Sequence, residues 1–499
     1  MLAKPLLFAT FFAARVFAQS ASCEKLASLA LPDGTITLAE PVAAGEFKPA
    51  TGATAPFQNL PAFCRVAATL APSKDSDIKI EVWLPAAGWN GKFQAVGNGG
   101  WSGAVNQVAL GTAVRRGYAA AGTDTGHAGS GASFALGHPE KLVDFGYRAV
   151  HEMTVKAKAI VAAYYGSGPK FSYWNGCSSG GKQGLKEAQR FPEDYDGIIA
   201  GAPANYWTHL MAGDLWPAYA TLKDAASYIP PAKYPLIHQA VLEACDALDG
   251  LKDGLIEDPR RCKFDPKILL CKSEATAACL TGPQVEAVRK IYEGPRNPRT
   301  GQEIFPGLAF GSELGWAALA GGPEPFAIPV EHFKYVVFKD PAWDFKTLNF
   351  DGDMALADKI DNGLLNATDP DLKNFFERGG KLLQYHGWSD QLITPFNSID
   401  YYLSVEEKLG AGHLRDSYRL FMAPGMAHCT GGEGPNTIDT VSAIEQWVEQ
   451  AKAPDRVIAS HLTNNAVDRT RPLCPYPQVA QYKGTGSADD AANFVCTAP

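Results

Sequence analysis

From Ile78 onward the chain alternates short runs rich in β-branched and aromatic residues with longer stretches whose apolar positions recur every three or four residues. "DIKIEVWLP" (77–85), "GKFQAVGNGG" (91–100) and "GYAAAGTDTG" (117–126) read as strands. "YRAVHEMTVKAKAIVAAYYG" (147–166) reads as a helix that stops at Gly166. "KFSYWNG" (170–176) is strand-like, "GGKQGLKEAQRFP" (180–192) helix-like, and "YDGIIAGAPA" (195–204) strand-like again. Such alternation specifies an α/β fold, a mostly parallel sheet covered by helices.

The rhythm breaks between Asn205 and Asp369 into irregular segments that contain Pro, Trp and four of the cysteines, so 205–369 reads as an insertion on the main sheet. It resumes with "GGKLLQYHGWSDQLITP" (379–395) and "SYRLFMAPGMAHC" (417–429), each a strand running into a loop, and with the amphipathic helix "TVSAIEQWVEQAKAP" (440–454). The predicted organisation is a sheet domain in two parts, 19–204 and 370–499, around the inserted segment. A chain of 499 residues is long enough for this, since single domains usually end well below that length.

Composition narrows the class. With 46% hydrophobic and 20% charged residues the chain is an ordinary globular one, and a net charge of −8 gives no basic footprint for nucleic acid. The first residues, "MLAKPLLFATFFAARVFAQSAS", carry one Lys, an apolar run and Val16-Phe17-Ala18, the pattern of a secretory signal peptide cut after Ala18. Arg15 leaves the run too short to serve as a membrane-spanning anchor, and no other segment is apolar enough for that.

All ten cysteines (Cys23, Cys64, Cys177, Cys245, Cys262, Cys271, Cys279, Cys429, Cys474 and Cys496) fall after that cut, and in an exported protein they suggest up to five disulfides. Counting does not fix the pairing, but Cys271/Cys279 and Cys245/Cys262 are near neighbours and Cys474/Cys496 would staple the tail. There is no CxxC pair to support a zinc site.

Gly176-Cys177-Ser178-Ser179-Gly180 fits G-x-S-x-G between a strand and a helix, and only Ser178 has glycine at both −2 and +2. A serine hydroxyl needs a base, and the base a carboxylate. In the resumed part of the sheet the histidines are His386, His413, His428 and His461. His386 lies inside a strand, His413 in a polar connection and His461 beyond the last clear helix, whereas His428 follows a strand on a glycine-containing loop. Asp390, just past the strand before it, is the best acid. The cysteines then decide between the candidates: Cys177 precedes Ser178 and Cys429 follows His428. A bridge between them would hold their Cα atoms about 4.4–6.8 Å apart and bring nucleophile and base together.

Cys-Ser at the elbow, Asp after a later strand and His-Cys on the final loop resemble the tannase and feruloyl esterase family, over nearly the whole mature chain including the place of the insertion. The resemblance implies a secreted α/β-hydrolase with a large inserted lid domain, a Ser178–Asp390–His428 triad, and the Cys177–Cys429 disulfide. It implies an oxyanion hole in which the Ser179 N–H is joined by one from the loop Gly97–Gly103, at Gly99 or Gly100. It also implies a structural Ca²⁺ in "CDALDGLKDGLIEDPRRC", held by Asp246, Asp249, Asp253 and the carbonyls of Leu251 and Leu255; on spacing alone this loop would be an exposed acidic turn.

The implied activity is hydrolysis of a small aromatic ester, such as a hydroxycinnamate of plant cell walls, with gallate esters and mono(2-hydroxyethyl) terephthalate as the family's other substrates. Trp207, Trp216, Trp316, Trp343, Tyr206 and Tyr335 could line a cleft, but such residues mostly fill cores and do not choose among the acids. Ile393 would border the acyl pocket or pack its loop. Two other classes compete: a serine peptidase on the same fold, and an inactive calcium-braced binding protein, which should lack part of the triad.

Overall fold

A computed structural model of the chain describes residues 22–49, 55–274 and 276–499. The expected leader, residues 1–18, and its cleavage point lie outside the described residues. Nine strands form the main sheet: β1 (Gly34–Val42), β2 (Phe63–Leu70), β3 (Ile78–Pro85), β4 (Lys92–Val96), β5 (Ala119–Thr123), β6 (Phe171–Cys177), β7 (Gly197–Gly201), β8 (Lys381–Gly387) and β9 (Tyr418–Ala423). Their order is β1-β2-β3-β5-β4-β6-β7-β8-β9. From β5 to β9 every pairing is parallel, and the β1, β2 and β3 edge is antiparallel.

The parallel strands are covered on both faces, which is why "AAAGT" of β5 and "GIIAG" of β7 are buried at every residue and read as unbroken apolar or small runs. One face carries helix α1 (Gln107–Arg115), which contributes Leu110, Ala113 and Val114. The other carries α2 (Ala149–Tyr165), with Val150, Met153, Ala157, Ile160 and Val161 at helical spacing. Helix α3 (Ser179–Arg190) leads from β6 to β7.

Between Gly201 and Lys381 the described residues contain helices and loops but no strand. Its longest helices are α4 (Trp207–Leu222), α5 (Tyr234–Cys245) and α6 (Gly282–Glu293). The last begins where Thr281 and Gln284 each accept the other's backbone N–H. Trp207 and Trp316 are fully buried in two separate clusters, and Trp216, Trp343, Tyr206 and Tyr335 are half-buried against that of Trp207, so these aromatics chiefly hold the insertion together. The sequon Asn366-Ala367-Thr368 lies here too, with the Asn366 amide engaged by Thr208.

Helices α7 (Phe396–Leu409) and α8 (Thr440–Gln450) complete the layers. The tail adds β10 (Thr437–Ile438), β11 (Val457–Thr463) and β12 (Ala466–Leu473) as one small sheet, and β13 (Val479–Tyr482) with β14 (Phe494–Thr497) as another. The hydrophobic pattern foresaw neither these nor β1 and β2. As an edge strand, β1 has no fully buried residue, so its apolar signal is weak. All five disulfides form: Cys23–Cys64, Cys177–Cys429, Cys245–Cys262, Cys271–Cys279 and Cys474–Cys496.

The turn from β6 into α3 brings three glycines into contact. A Cβ on Gly176 would lie 2.4 Å from the Gly180 carbonyl oxygen, and one on Gly97 would lie 2.4 Å from the Gly180 Cα. Strand β4, strand β6 and α3 therefore cross where only hydrogen atoms fit. Replacing Gly176 with Ala is expected to lower stability by about 2 kcal/mol or more through this clash with backbone. Gly412→Ala, where a Cβ meets nothing within 4 Å, should leave the melting temperature unchanged or raise it. Equal melting temperatures for Gly176→Ala and the unsubstituted chain would contradict the crossing.

Candidate active site

Strand β6 ends at Cys177, and Ser178 takes φ 63° and ψ −123°, a strained conformation for a residue with a side chain. It is held there by three backbone hydrogen bonds. The Ser178 N–H donates to the Gly201 carbonyl at 3.0 Å, and the Ser178 carbonyl accepts from Lys182 at 3.0 Å and from Ala204 at 3.1 Å. Ser179 is buried and its hydroxyl donates to the Gly100 carbonyl at 2.9 Å. That hydroxyl is thus engaged, while the Ser179 N–H belongs to the first turn of α3, whose N–H groups lack intrahelical partners.

The loop after β4 is pinned to three neighbours. The Asn98 amide donates to the Thr123 carbonyl at 2.9 Å and to the Ala104 carbonyl at 2.8 Å, and its backbone N–H donates to Gln183 at 3.2 Å. Trp101 donates from its indole nitrogen to the Ile328 carbonyl of the insertion at 3.1 Å. Gly100 in between has φ 50°. These bonds place the glycines of 97–100 against the start of α3, and a cavity of about 560 Å³ is lined by Ser178, His428, Gly99, Gly100, Ile328 and Leu392 among others.

Asp390 follows β8 by three residues and is fully buried. Its Oδ1 accepts the N–H groups of Leu392 and Ile393, both at 2.9 Å. Its Oδ2 accepts from His428 Nδ1 at 2.8 Å and His386 Nε2 at 3.1 Å. Burial alone would push this carboxyl up, but the His428 charge and the hydrogen bonds from His386 and His428 outweigh it and hold Asp390 well below the usual carboxylate range. For His428, burial pulls the imidazole down, and the charge and hydrogen bond of Asp390 more than offset that, so its pKa is raised. With Nδ1 bonded to Asp390, Nε2 is the nitrogen left free for a substrate.

Beside His428, Cys429 bridges to Cys177 with Cα atoms 5.9 Å apart, across 252 residues of sequence. The two remaining histidines lie elsewhere. His461 is on β11, paired with Asp468 at 2.7 Å, and His413 is exposed on a short helix. Ile393 is buried, and its N–H and carbonyl hold Asp390 and His386, so it packs and braces the acid loop.

His386, which as a histidine inside a strand looks like core, also bonds Asp390. Its Nε2 faces two acceptors, the Ile393 carbonyl at 2.8 Å and Asp390, so in the neutral ring the hydrogen sits on Nε2. The Nδ1 is 2.7 Å from Ser398 Oγ, which itself accepts from Gln384 at 2.6 Å. Tyr418 in turn donates to the Gln384 side-chain oxygen. A single buried chain of donors therefore runs from Tyr418 through Gln384, Ser398 and His386 to Asp390. The visible signal was Gln384 and His386, two polar residues at period two on an otherwise apolar strand.

In the acidic loop, Asp246 accepts the N–H groups of Asp253 at 3.1 Å and Gly254 at 3.0 Å, and Asp249 accepts that of Leu251 at 2.9 Å. Asp253 pairs with Arg471, itself 1% exposed. Gly250 and Gly254, at φ 90° and 82°, make the two tight turns. The carbonyls of Leu251 and Leu255 accept no backbone hydrogen bond among the described residues. Burial pushes Asp249 up, aided by the charges of Asp253 and Asp246, and pushes Glu257 up to about 8, aided by Asp249 and Asp253. Arg471 thus meets Asp253 and, at 4.0 Å, Glu257, while side-chain oxygens of Asp246, Asp249 and Asp253 do not all come within 4.8 Å of one another among the described residues.

Residues 64–497 match the family described as tannase and feruloyl esterase. An uncharacterized esterase of Xanthomonas campestris pv. campestris is 40% identical over 528 residues, covering 96% of this chain and 91% of its own. A probable feruloyl esterase B-1 of Aspergillus flavus is 36% identical, covering 87% of this chain and 86% of its own. Among solved structures, feruloyl esterase B from Aspergillus oryzae superposes with a TM-score of 0.91 at 33% identity, over 95% of this chain and 99% of its own. Tannin acyl hydrolase from Aspergillus niger, at 24% identity and a TM-score of 0.79, shares the fold over 95% of this chain and 93% of its own. With a match that spans most of its length, this chain belongs to the tannase and feruloyl esterase family and is a carboxylic ester hydrolase.

Proposed function

We propose that this chain is an exported serine esterase that cleaves esters of hydroxycinnamic acids, in the manner of a feruloyl esterase. The observation that carries the reading is the buried Asp390–His428 pair bound by a disulfide to the strained serine turn, with His428 and Ser178 on one cavity. In this mechanism His428 Nε2 takes the Ser178 proton as Oγ attacks the ester carbonyl, and the Asp390 carboxylate stabilises the imidazolium. The N–H of Ser179, with that of Gly99 or Gly100, receives the oxyanion. His428 then returns the proton to the leaving alcohol, and a water activated by the same nitrogen hydrolyses the acyl-enzyme. Ile328 and Leu392 bring apolar surface to the cleft, which suits an aromatic acyl group, with the 205–369 insertion acting as the lid. The five disulfides, together with the leader pattern, support export.

The acidic loop is proposed to hold a structural Ca²⁺ through Asp246, Asp249, Asp253 and the carbonyls of Leu251 and Leu255. When bound, the ion neutralises the loop and braces the insertion against the tail, to which Glu257 already bonds through the Ala480 N–H at 2.8 Å.

Five outcomes test this reading. Methyl ferulate should be hydrolysed faster than methyl gallate, a terephthalate monoester or a peptide anilide; absence of hydrolysis of every ester would overturn it. Ser178→Ala should cut turnover by about 10⁴-fold or more, while Ser179→Ala keeps a measurable rate; the opposite ranking would move the nucleophile. Because the base acts unprotonated, kcat/KM should fall as pH drops through the pKa of His428, at a midpoint above its usual 6.5. Asp390→Asn should move that midpoint down and lower the plateau by about 10⁴-fold, and an unmoved midpoint would remove Asp390 from its role. Chelation of Ca²⁺ should lower the melting temperature, and Ca²⁺ at about 100 times its Kd should restore about 2.7 kcal/mol; a chelator-insensitive chain would argue against the site.

A further inference from the structure

Away from the cleft, three side chains from separate elements converge: His151 on α2, Glu187 on α3, and Asp194 in the turn before β7. One ligand atom from each lies within 4.8 Å of the other two, the one such convergence of three His, Cys, Asp or Glu side chains among the described residues. The His151 Nδ1 is 2.7 Å from Asp194 Oδ2, and the His151 ring is stacked on Phe191 at 3.8 Å between centroids. Glu187 is 1% exposed, and among the described residues no donor reaches either of its carboxylate oxygens, which face the Asp194 carboxyl instead. A buried acceptor left without a partner is costly, and two on one carboxyl need an account. Lys158 donates to the Asp194 backbone carbonyl rather than pairing with either carboxylate.

We propose that His151, Glu187 and Asp194 bind a divalent transition-metal ion of the zinc class, separate from both the cleft and the acidic loop. One imidazole nitrogen and two carboxylates suit zinc or cobalt, whereas calcium takes six to eight oxygens. The His151 side chain is 25% exposed, which leaves an entry path and room for water as a fourth ligand. Tetrahedral zinc ligands stand about 3.3 Å apart, so the 2.7 Å contact is a hydrogen bond that the ion must open. Coordination through the His151 Nδ1 requires the ring hydrogen to sit on Nε2. Bound there, the ion ties α2 to α3 and to the turn before β7.

The test is a Co²⁺ titration of the full chain, stripped with chelator and then supplied with excess Ca²⁺, followed by visible absorption. The expected result is one saturable equivalent that Zn²⁺ displaces, with weaker binding as pH falls. Glu187→Gln and His151→Gln should each lose this equivalent while ester hydrolysis stays within about twofold. Should Glu187→Gln fail to fold, His151→Gln, at a partly exposed position, gives the same reading. No saturable Co²⁺ binding, or binding that persists in the His151 variant, would overturn the proposal.

Discussion

The cleft depends on a carboxylate that water does not reach. Asp390 is fully buried yet ionised, because four N–H groups point at its two oxygens: Leu392 and Ile393 from its own loop, His386 from β8, and His428 from the loop after β9. Burying a charge is expensive unless it is hydrogen-bonded, and each donor here also fixes a piece of backbone. The cost of desolvation thereby becomes geometric definition. His428 has one orientation because Asp390 has one, and Asp390 has one because the donor chain from Tyr418 to His386 runs in a single direction.

Against this rigid half stands the serine turn, built on other strands. Gly97, Gly176 and Gly180 let β4, β6 and α3 meet, and the left-handed φ of Ser178 is kept by bonds to Gly201, Lys182 and Ala204. The halves are joined in the sheet by β7 and at the cleft by Cys177–Cys429. The insertion touches the same assembly through Ile328, which accepts from Trp101 of the glycine loop. Two places farther from the cleft also bury carboxyls: the acidic loop of the insertion, beside Arg471 of the tail, and Glu187 on α3 of the sheet domain.

Much of this was legible in the chain. The flanking glycines singled out Ser178, and two cysteines beside two independently chosen residues indicated which histidine to pair with it. These signals survive because they are local and chemically rare. The elements that escaped notice lack such signals. Strand β1 is an edge with no fully buried position, and β10 to β14 are short antiparallel pairs whose residues face solvent on one side. The role of His386 was hidden because a histidine inside a strand looks like core, and only the fold shows that Asp390 loops back to it. His151, Glu187 and Asp194 are 36 and 7 residues apart, a spacing that announces nothing until α2 and α3 pack on the sheet.

In the proposed mechanism the Cys177–Cys429 bridge fixes the Ser178 turn against the Asp390–His428 pair. It is tested most directly by steady-state kinetics of the Cys177→Ser/Cys429→Ser double variant on methyl ferulate, at a temperature where its circular dichroism matches the unsubstituted chain. The account predicts kcat lower by about tenfold or more with KM little changed, since misplacement of reacting groups by about 1 Å costs up to about 100-fold. An unchanged kcat in a chain proven to lack the bridge would contradict it.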